Sequence, residues 1–325
     1  MSLVDVFSPI ATVLMAQMRR WGKEYVDRRN WKEYNESLVR RGEVLLDFDM
    51  LDEWQDELRR MNQSKEGKSG ARYRYPEPFM RLLAYLHVLF HLPFRQEEGF
   101  IKSLARYVEG LEAPDWSTIW ERTRNLDMTL DGVKTDEPIS IALDSSGIKV
   151  SNSGDWMRKK WKAKRGYLKI HLAVDARSKQ AVSMQVTEET VSDGSQTEPL
   201  VLEAVAKNDV ERAYADGAYD RRANFNLLAS IGIDPVIRVR KNASRKAKGS
   251  YARKESVIAQ QTDFDGWKEE KHYGDRWAVE GAYSCIKRIF GEYVSAKKFV
   301  NMAKEMVTKI SLYNLFMQMT PHGGG

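Results

Sequence analysis

Two rhythms of apolar residues divide the chain near residue 135. In the first stretch the spacing is helical: Val44, Leu45, Phe48, Leu51, Trp54, Leu58 and Met61 recur every three or four positions. A polar breaker follows from Gln63 to Arg72, carrying Gly67 and Gly70. Pro76 and Pro78 then open a second helix with Phe79, Leu82, Leu83, Leu86 and Phe90 on its apolar face, and Pro93 is expected to end it. Phe100, Leu104 and Val108 mark a third helix. A fourth starts after Pro114, with Asp115 or Ser117 as its cap, and runs to about Leu126. Residues 1–134 therefore read as an all-α domain, either a helix-turn-helix arrangement or a small bundle.

From about Thr135 the period shortens. Strands are expected at Ile139–Asp144, Tyr167–Asp175, Ala181–Thr187, Ala213–Asp216 and Asp234–Arg240. Helices are expected at Pro199–Ala206, Arg222–Ser230 and, last, from about Asp275 to Phe290. Three strands in a meander followed by alternating helix and strand predict an α/β domain over 135–320 built on a mixed sheet. The span 241–273 is left for a small insertion, with a basic loop from Asn242 to Lys254 and a short helix near Glu255–Gln261. Residues 321–325 end in three glycines and read as a tail.

Composition narrows the class. A hydrophobic share of 42% with 9 Trp, 11 Phe and 14 Tyr supports a packed fold. The net charge of +6 is unevenly spread. Arg158, Lys159, Lys160, Lys162, Lys164 and Arg165 crowd one segment, with Trp156 and Trp161 interleaved. No acid occurs from Pro235 through Lys254, where Arg245, Lys246 and Lys248 lie. Such clusters suit a polyanion, DNA above all, although a solvated hairpin tip would look similar. The single Cys285 excludes an intrachain disulfide and reads as core. No stretch offers the ~20 apolar residues of a membrane span. Val6–Met18 reads as a short docking helix, and the chain as soluble and cytoplasmic. There is no P-loop, G-x-G-x-x-G or Cys/His cluster to suggest ATP, nicotinamide or zinc. His87 and His91 lack a third ligand and read as structural.

The candidate chemistry sits at strand ends and on one helix. Asp144 closes the run Ile139 to Leu143, and Asp216 follows Arg212 to Ala215 just before Gly217. Tyr273, Arg276, Glu280 and Lys287 are spaced so that a helix gathers them into a stripe roughly 60° wide. Two strand-end carboxylates facing a helical one are an oxygen-only donor set, the kind two hard divalent ions take for phosphoryl transfer. Asp220 and Asp275 read as helix caps and Asp175 as a turn residue. For Trp277, packing in the core and stacking on an unpaired base are equally open.

Asp144, Asp216 and Glu280, with Tyr273, Arg276 and Lys287 about the glutamate, resemble the DDE triad and Y-R-E-K signature of prokaryotic insertion-sequence transposases, most closely the insertion sequence 5 family. Trp31, Tyr34 and Asn35, the run Arg95 to Phe100 and the run Pro114 to Thr118 are similar to segments that precede the catalytic core there. The resemblance implies a ribonuclease-H-like core with two Mg²⁺ or Mn²⁺ ions on Asp144, Asp216 and Glu280. It implies that Arg276 and Lys287 hold phosphates, that Tyr273 bonds the same backbone, and that Trp277 and the two basic clusters touch DNA. The implied activity is cleavage at the terminal inverted repeats of a mobile element. The freed 3′-hydroxyl then joins target DNA, within a homodimeric synaptic complex near the nucleoid. Two other readings stay open: a regulatory protein that grips element ends without cutting, and a ribonuclease-H-like nuclease.

Overall fold

The computed structural model describes residues 30–67, 70–128, 130, 133–150 and 166–320, with the backbone of Arg19–Arg20 and Lys23–Glu24 as a two-residue ladder. The basic run Arg158, Lys159, Lys160, Lys162, Lys164 and Arg165 and the segment Val6–Met18 lie outside these residues.

Among the described residues, five α-helices precede the sheet: α1 (Trp31–Glu43), α2 (Trp54–Gln63), α3 (Glu77–Phe90), α4 (Phe94–Leu104) and α5 (Trp116–Asn125). The stretch Val44 to Met61 is not one helix. Two 3-10 turns, Val44–Leu46 and Asp49–Leu51, come before α2. Between them Asp47 is extended and its carboxylate takes the amide of Asp49 at 3.0 Å, a local bond that competes with the helix ladder. Helix α3 stops at His91, which turns left-handed at φ 52°, so Pro93 caps α4 instead of ending α3. Asp115 caps α5, accepting from the amides of Ser117 and Thr118 at 2.9 Å each.

Six strands form the sheet: β1 (Ile139–Val150), β2 (Tyr167–Asp175), β3 (Ala181–Glu188), β4 (Val210–Ala215), β5 (Asp234–Ile237) and β6 (Tyr293–Val294). Their order is β3-β2-β1-β4-β5, with β6 beside the far end of β1. Strand β2 runs antiparallel to both β1 and β3, while β4 runs parallel to β1 and β5 to β4. This is the expected mixed α/β, ribonuclease-H-like sheet behind a helical region. Strand β1 does not end at Asp144, because Ser145, Ser146 and Gly147 continue the ladder opposite His171, Ile170 and Lys169. Their polarity hid the strand, but the hydrogen bonds come from the partner and do not require apolar side chains.

Side-chain alternation gives the sheet two different faces. One carries Ile141, Leu143, Ala173, Ala213 and Ala215 under α6 (Thr197–Val205), α7 (Arg222–Ser230) and α8 (Tyr251–Thr262). The other carries Ala142, Ile148, Ile170, Leu172 and Tyr214 under α10 (Trp277–Phe290) and α11 (Phe299–Gln318). Helix α11 lies beyond the helix expected to be last. Its Met306, Ile310 and Phe316 share one core with Phe79 and Leu83 of α3 and with Val279 of α10, so it joins the helical region to the sheet. Between β5 and α10 the chain makes a loop, then α8 and a seven-residue helix α9 (Phe264–Glu270). Among the described residues no helix is long and apolar enough to cross a membrane.

Candidate active site

The parallel pair β1 and β4 sets Ala142 opposite Tyr214. Two residues further along each chain come Asp144 and Asp216. The pairing therefore sets the two acids side by side, Asp144 midway along β1 and Asp216 just past the end of β4, on the face under α10. Asp144 takes the amide of Ser145 at 2.8 Å, and Asp216 caps the 3-10 turn Gly217–Tyr219 by taking the amide of Ala218 at 2.8 Å.

Two tyrosines fasten the glutamate helix to these positions. The Tyr283 hydroxyl, one turn beyond Glu280, reaches the carbonyls of Asp144 (3.1 Å) and Ile170 (2.7 Å). Tyr273 donates to the carbonyl of Ala215, the residue before Asp216, at 3.3 Å. That bond corrects one expectation: Tyr273 is buried and its hydroxyl is spent on β4, so it is not placed to bond DNA. It positions the strand end instead.

Arg276 pairs with Glu280 at 2.8 Å and lies over the indole of Trp277 at 4.8 Å. Trp277 is 61% exposed, which removes the core reading. Lys287 is half-exposed on the same helix. Burial above all, with the charges of Asp216 and Glu280, pushes the Asp144 carboxyl up to about 6 against the lowering by the Ser145 amide and Arg276. Both other acids thus act on Asp144 electrostatically. Even so, among the described residues no three His, Cys, Asp or Glu side chains converge closely enough to hold a metal ion as they stand. The donor set fits a hard divalent cation, being all oxygen and carrying uncompensated negative charge at Asp144. Glu280, however, is turned onto Arg276.

A cavity of about 470 Å³ opens beside Asp216, walled by Arg238, Lys268, Arg276 and Trp277. Arg245, Lys246 and Lys248 are exposed on the following loop and do not line it. The turn after Asp216 is held by Asp220, which is not a helix cap. Its buried carboxylate takes Arg253 through two bonds (2.6 and 2.9 Å) and the Arg240 amide at 3.0 Å. Nor does Asp275 cap α10. It lies in the 3-10 turn Tyr273–Arg276, within 3.5 Å of the Tyr214 hydroxyl. Asp175 does serve its turn, taking the Ser178 amide at 2.7 Å.

On the other face of β1 a fourth acid was missed. Asp193 takes the Ser145 hydroxyl at 2.6 Å and Lys169 at 2.6 Å, and faces the buried His171 ring at 3.7 Å. Burial raises its carboxyl, but the bonds from Lys169 and Ser145 outweigh burial and hold it below the ordinary value. Burial drives His171 down to about 4, so that ring is neutral. A signal for Asp193 did exist: Lys169 and His171 are polar residues alternating within an otherwise apolar strand, and they require a buried partner. Tyr283 had a weaker one, its place one turn after Glu280.

The description "Transposase DDE domain" matches residues 136–315, more than half of the chain, and a second match of the same description covers residues 39–153. The chain belongs to the DDE transposases. Among solved structures, the piggyBac transposase synaptic complex with hairpin DNA is similar at 12% identity, covering 87% of this chain and 80% of that one, with a TM-score of 0.32. The simian T-cell lymphotropic virus intasome in complex with PP2A regulatory subunit B56 gamma is similar at 13% identity, covering 64% and 69%, with a TM-score of 0.23. Both overlaps are loose, and the assignment of this transposase rests on the sequence match.

Proposed function

We propose that this transposase, of the insertion sequence 5 branch, nicks DNA at the inverted-repeat ends of its element and joins the resulting 3′-hydroxyls to target DNA. The observation that carries this reading is the convergence of Asp144 and Asp216, on β1 and just past β4, beneath a glutamate helix tied by Tyr283 and Tyr273 to the backbone of Asp144 and Ala215. Asp144, Asp216 and Glu280 would hold two Mg²⁺ or Mn²⁺ ions. When bound, such ions activate the attacking water or hydroxyl and stabilise the leaving oxygen.

The chain's own residues supply the rest. For Glu280 to join the aspartates, its bond to Arg276 has to open, and the freed guanidinium then becomes available to a phosphate as a bidentate donor. Lys287 adds a point charge further along the helix, and exposed Trp277 offers a face to an unpaired base. Each strand transfer exchanges one phosphodiester for another, so no nucleotide cofactor is needed. Two ends have to be processed together, which calls for a pair of subunits in one complex, in the cytoplasm where the element resides.

The test is strand cleavage and strand transfer on a duplex bearing the element's end, with Mg²⁺ or Mn²⁺, comparing wild type with Glu280→Gln. Metal-dependent nicking that disappears in the variant while DNA binding persists supports the reading. Specific binding with no cleavage by wild type under either metal replaces it with a regulatory end-binding protein. Preferential cutting of RNA–DNA hybrids replaces it with a nuclease.

A further inference from the structure

Helix α5 faces the loop between β6 and α11 across a second cavity of about 470 Å³, which none of the three acids lines. Its floor is apolar, built from Ala84 and Val88 of α3. Helix α5 brings Trp120, 41% exposed, and Arg124 to the cavity wall, while Trp116, 39% exposed and one turn earlier on the same face, lies beyond the lining. Each indole carries a guanidinium: Arg95 lies over Trp116 at 4.5 Å and Arg124 over Trp120 at 4.4 Å. The opposite rim bears exposed Lys297 and Lys298.

Neither wall is free to drift. Glu305 takes the amides of Ser295 and Ala296 at 2.9 and 3.0 Å, and Lys309 holds the Tyr293 carbonyl at 2.7 Å. Lys304 bridges the groove's end by donating to the Arg124 carbonyl at 2.6 Å. Glu305, the one carboxylate among the described lining residues, is therefore consumed by the loop and by Lys309. Arg124, Lys297 and Lys298 are left without an acidic partner among the described residues, on two fixed walls that flank exposed indoles.

We propose that this groove is a docking surface for the phosphodiester backbone of duplex DNA. The cations would meet phosphates, and the indoles would meet the apolar faces of the sugars. The proposal rests on the reading that the chain works on DNA and names where its helical region grips. Fixed cations on both walls suit a ligand whose charge repeats every ~1.7 Å along its axis. A second copy of the chain suits it poorly, because a two-fold contact would press this cationic patch against itself.

The test uses the full chain and a short fluorescent duplex of arbitrary sequence, titrated over a range of NaCl. The variants are the double substitution Lys297→Ala/Lys298→Ala and, separately, Trp120→Ala; all three residues are exposed, and thermal unfolding checks that each variant folds. In the double variant, affinity at moderate salt should fall about tenfold or more, and the slope of log Kd against log[NaCl] should drop by about 2, one for each phosphate that is no longer neutralised. Trp120→Ala should weaken binding and leave that slope unchanged. Wild-type affinity and slope in the double variant overturn the proposal, as does a change in the sedimentation of DNA-free protein, which would make the groove an interface between copies. A wild type that binds duplex through these residues yet nicks no substrate sinks the catalytic reading alone. One that binds no duplex sinks both.

Discussion

Asp144, on β1, and Asp193, in the 3-10 turn Asp193–Ser195, meet the two faces of that strand and are treated in opposite ways. On one face Asp193 is met by Ser145 and Lys169, with its carboxyl held below the ordinary value. On the other, burial and two further carboxylates crowd Asp144, with its carboxyl pushed to about 6. A protein that needed only to fold would satisfy both. The contrast assigns the first acid to structure and the second to function, because a partly buried, like-charged cluster persists where something cationic is meant to complete it. Neutralising each acid in turn breaks the comparison most directly.

The largest effect is expected from Asp144→Asn. Metal-dependent nicking should fall on the order of 10³-fold or more, since a donor of the catalytic cluster is lost. The same substitution should leave the metal-free chain at least as resistant to denaturant as wild type, because it removes repulsion and no ion pair. Loss of activity without loss of stability separates this acid from its neighbour. A variant that retains nicking would sink the assignment.

Asp193→Asn should do the reverse. It leaves Lys169 charged beside a half-strength acceptor and weakens the tie to Ser145, at a cost of about 2–3 kcal/mol in unfolding free energy. Some activity should survive in whatever fraction stays folded, since Asp193 lies on the opposite face from the catalytic acids.

The pH profile sharpens the contrast at a smaller scale. A carboxyl whose folded-state pKa is raised contributes stability that is present below its unfolded value, near 3.8, and lost as pH climbs through about 6. Metal-free wild type should therefore lose ~3 kcal/mol of stability from this residue across that window. Asp193, with its carboxyl depressed, works in the opposite sense: its stabilisation is present above the ordinary value and lost on acidification below it. Asp144→Asn should flatten the first slope, measured by chemical denaturation from about pH 2 to 7, and leave the second, at the acid end of that range, intact.

Much of this contrast was legible in the sequence, and the rest was hidden for definite reasons. The two aspartates follow apolar runs, and the spacing of Arg276, Glu280 and Lys287 is local, so one helix suffices to group them. The succession of three strands and then alternating helix and strand followed from the period of apolar residues along the chain. The partners of Asp220, Tyr273 and Tyr283 lie tens of residues away along the chain, and no local pattern encodes them. Helix α11 escaped because it is buried on several sides by both α3 and the sheet. Its apolar residues Met302, Met306, Ile310, Leu312, Tyr313 and Phe316 therefore trace no single stripe.

The smallest expected effect tests how the two faces are kept in register. The Tyr283 hydroxyl is shared between the carbonyls of Asp144 and Ile170, so it fixes the height of α10 over β1 and β2. Tyr283→Phe keeps the ring and deletes only that hydroxyl, which should cost about 1 kcal/mol, the net worth of an ordinary hydrogen bond. If the bond were merely structural, nicking would change in proportion to the folded fraction and no further. If it sets the distance between Glu280 and Asp144, then fully folded Tyr283→Phe should nick roughly tenfold more slowly with DNA affinity unchanged, because a small misplacement of a catalytic group costs rate before it costs binding. A rate equal to wild type at full folding would leave Tyr273, on the opposite strand end, as the tie that holds the glutamate helix over the aspartates.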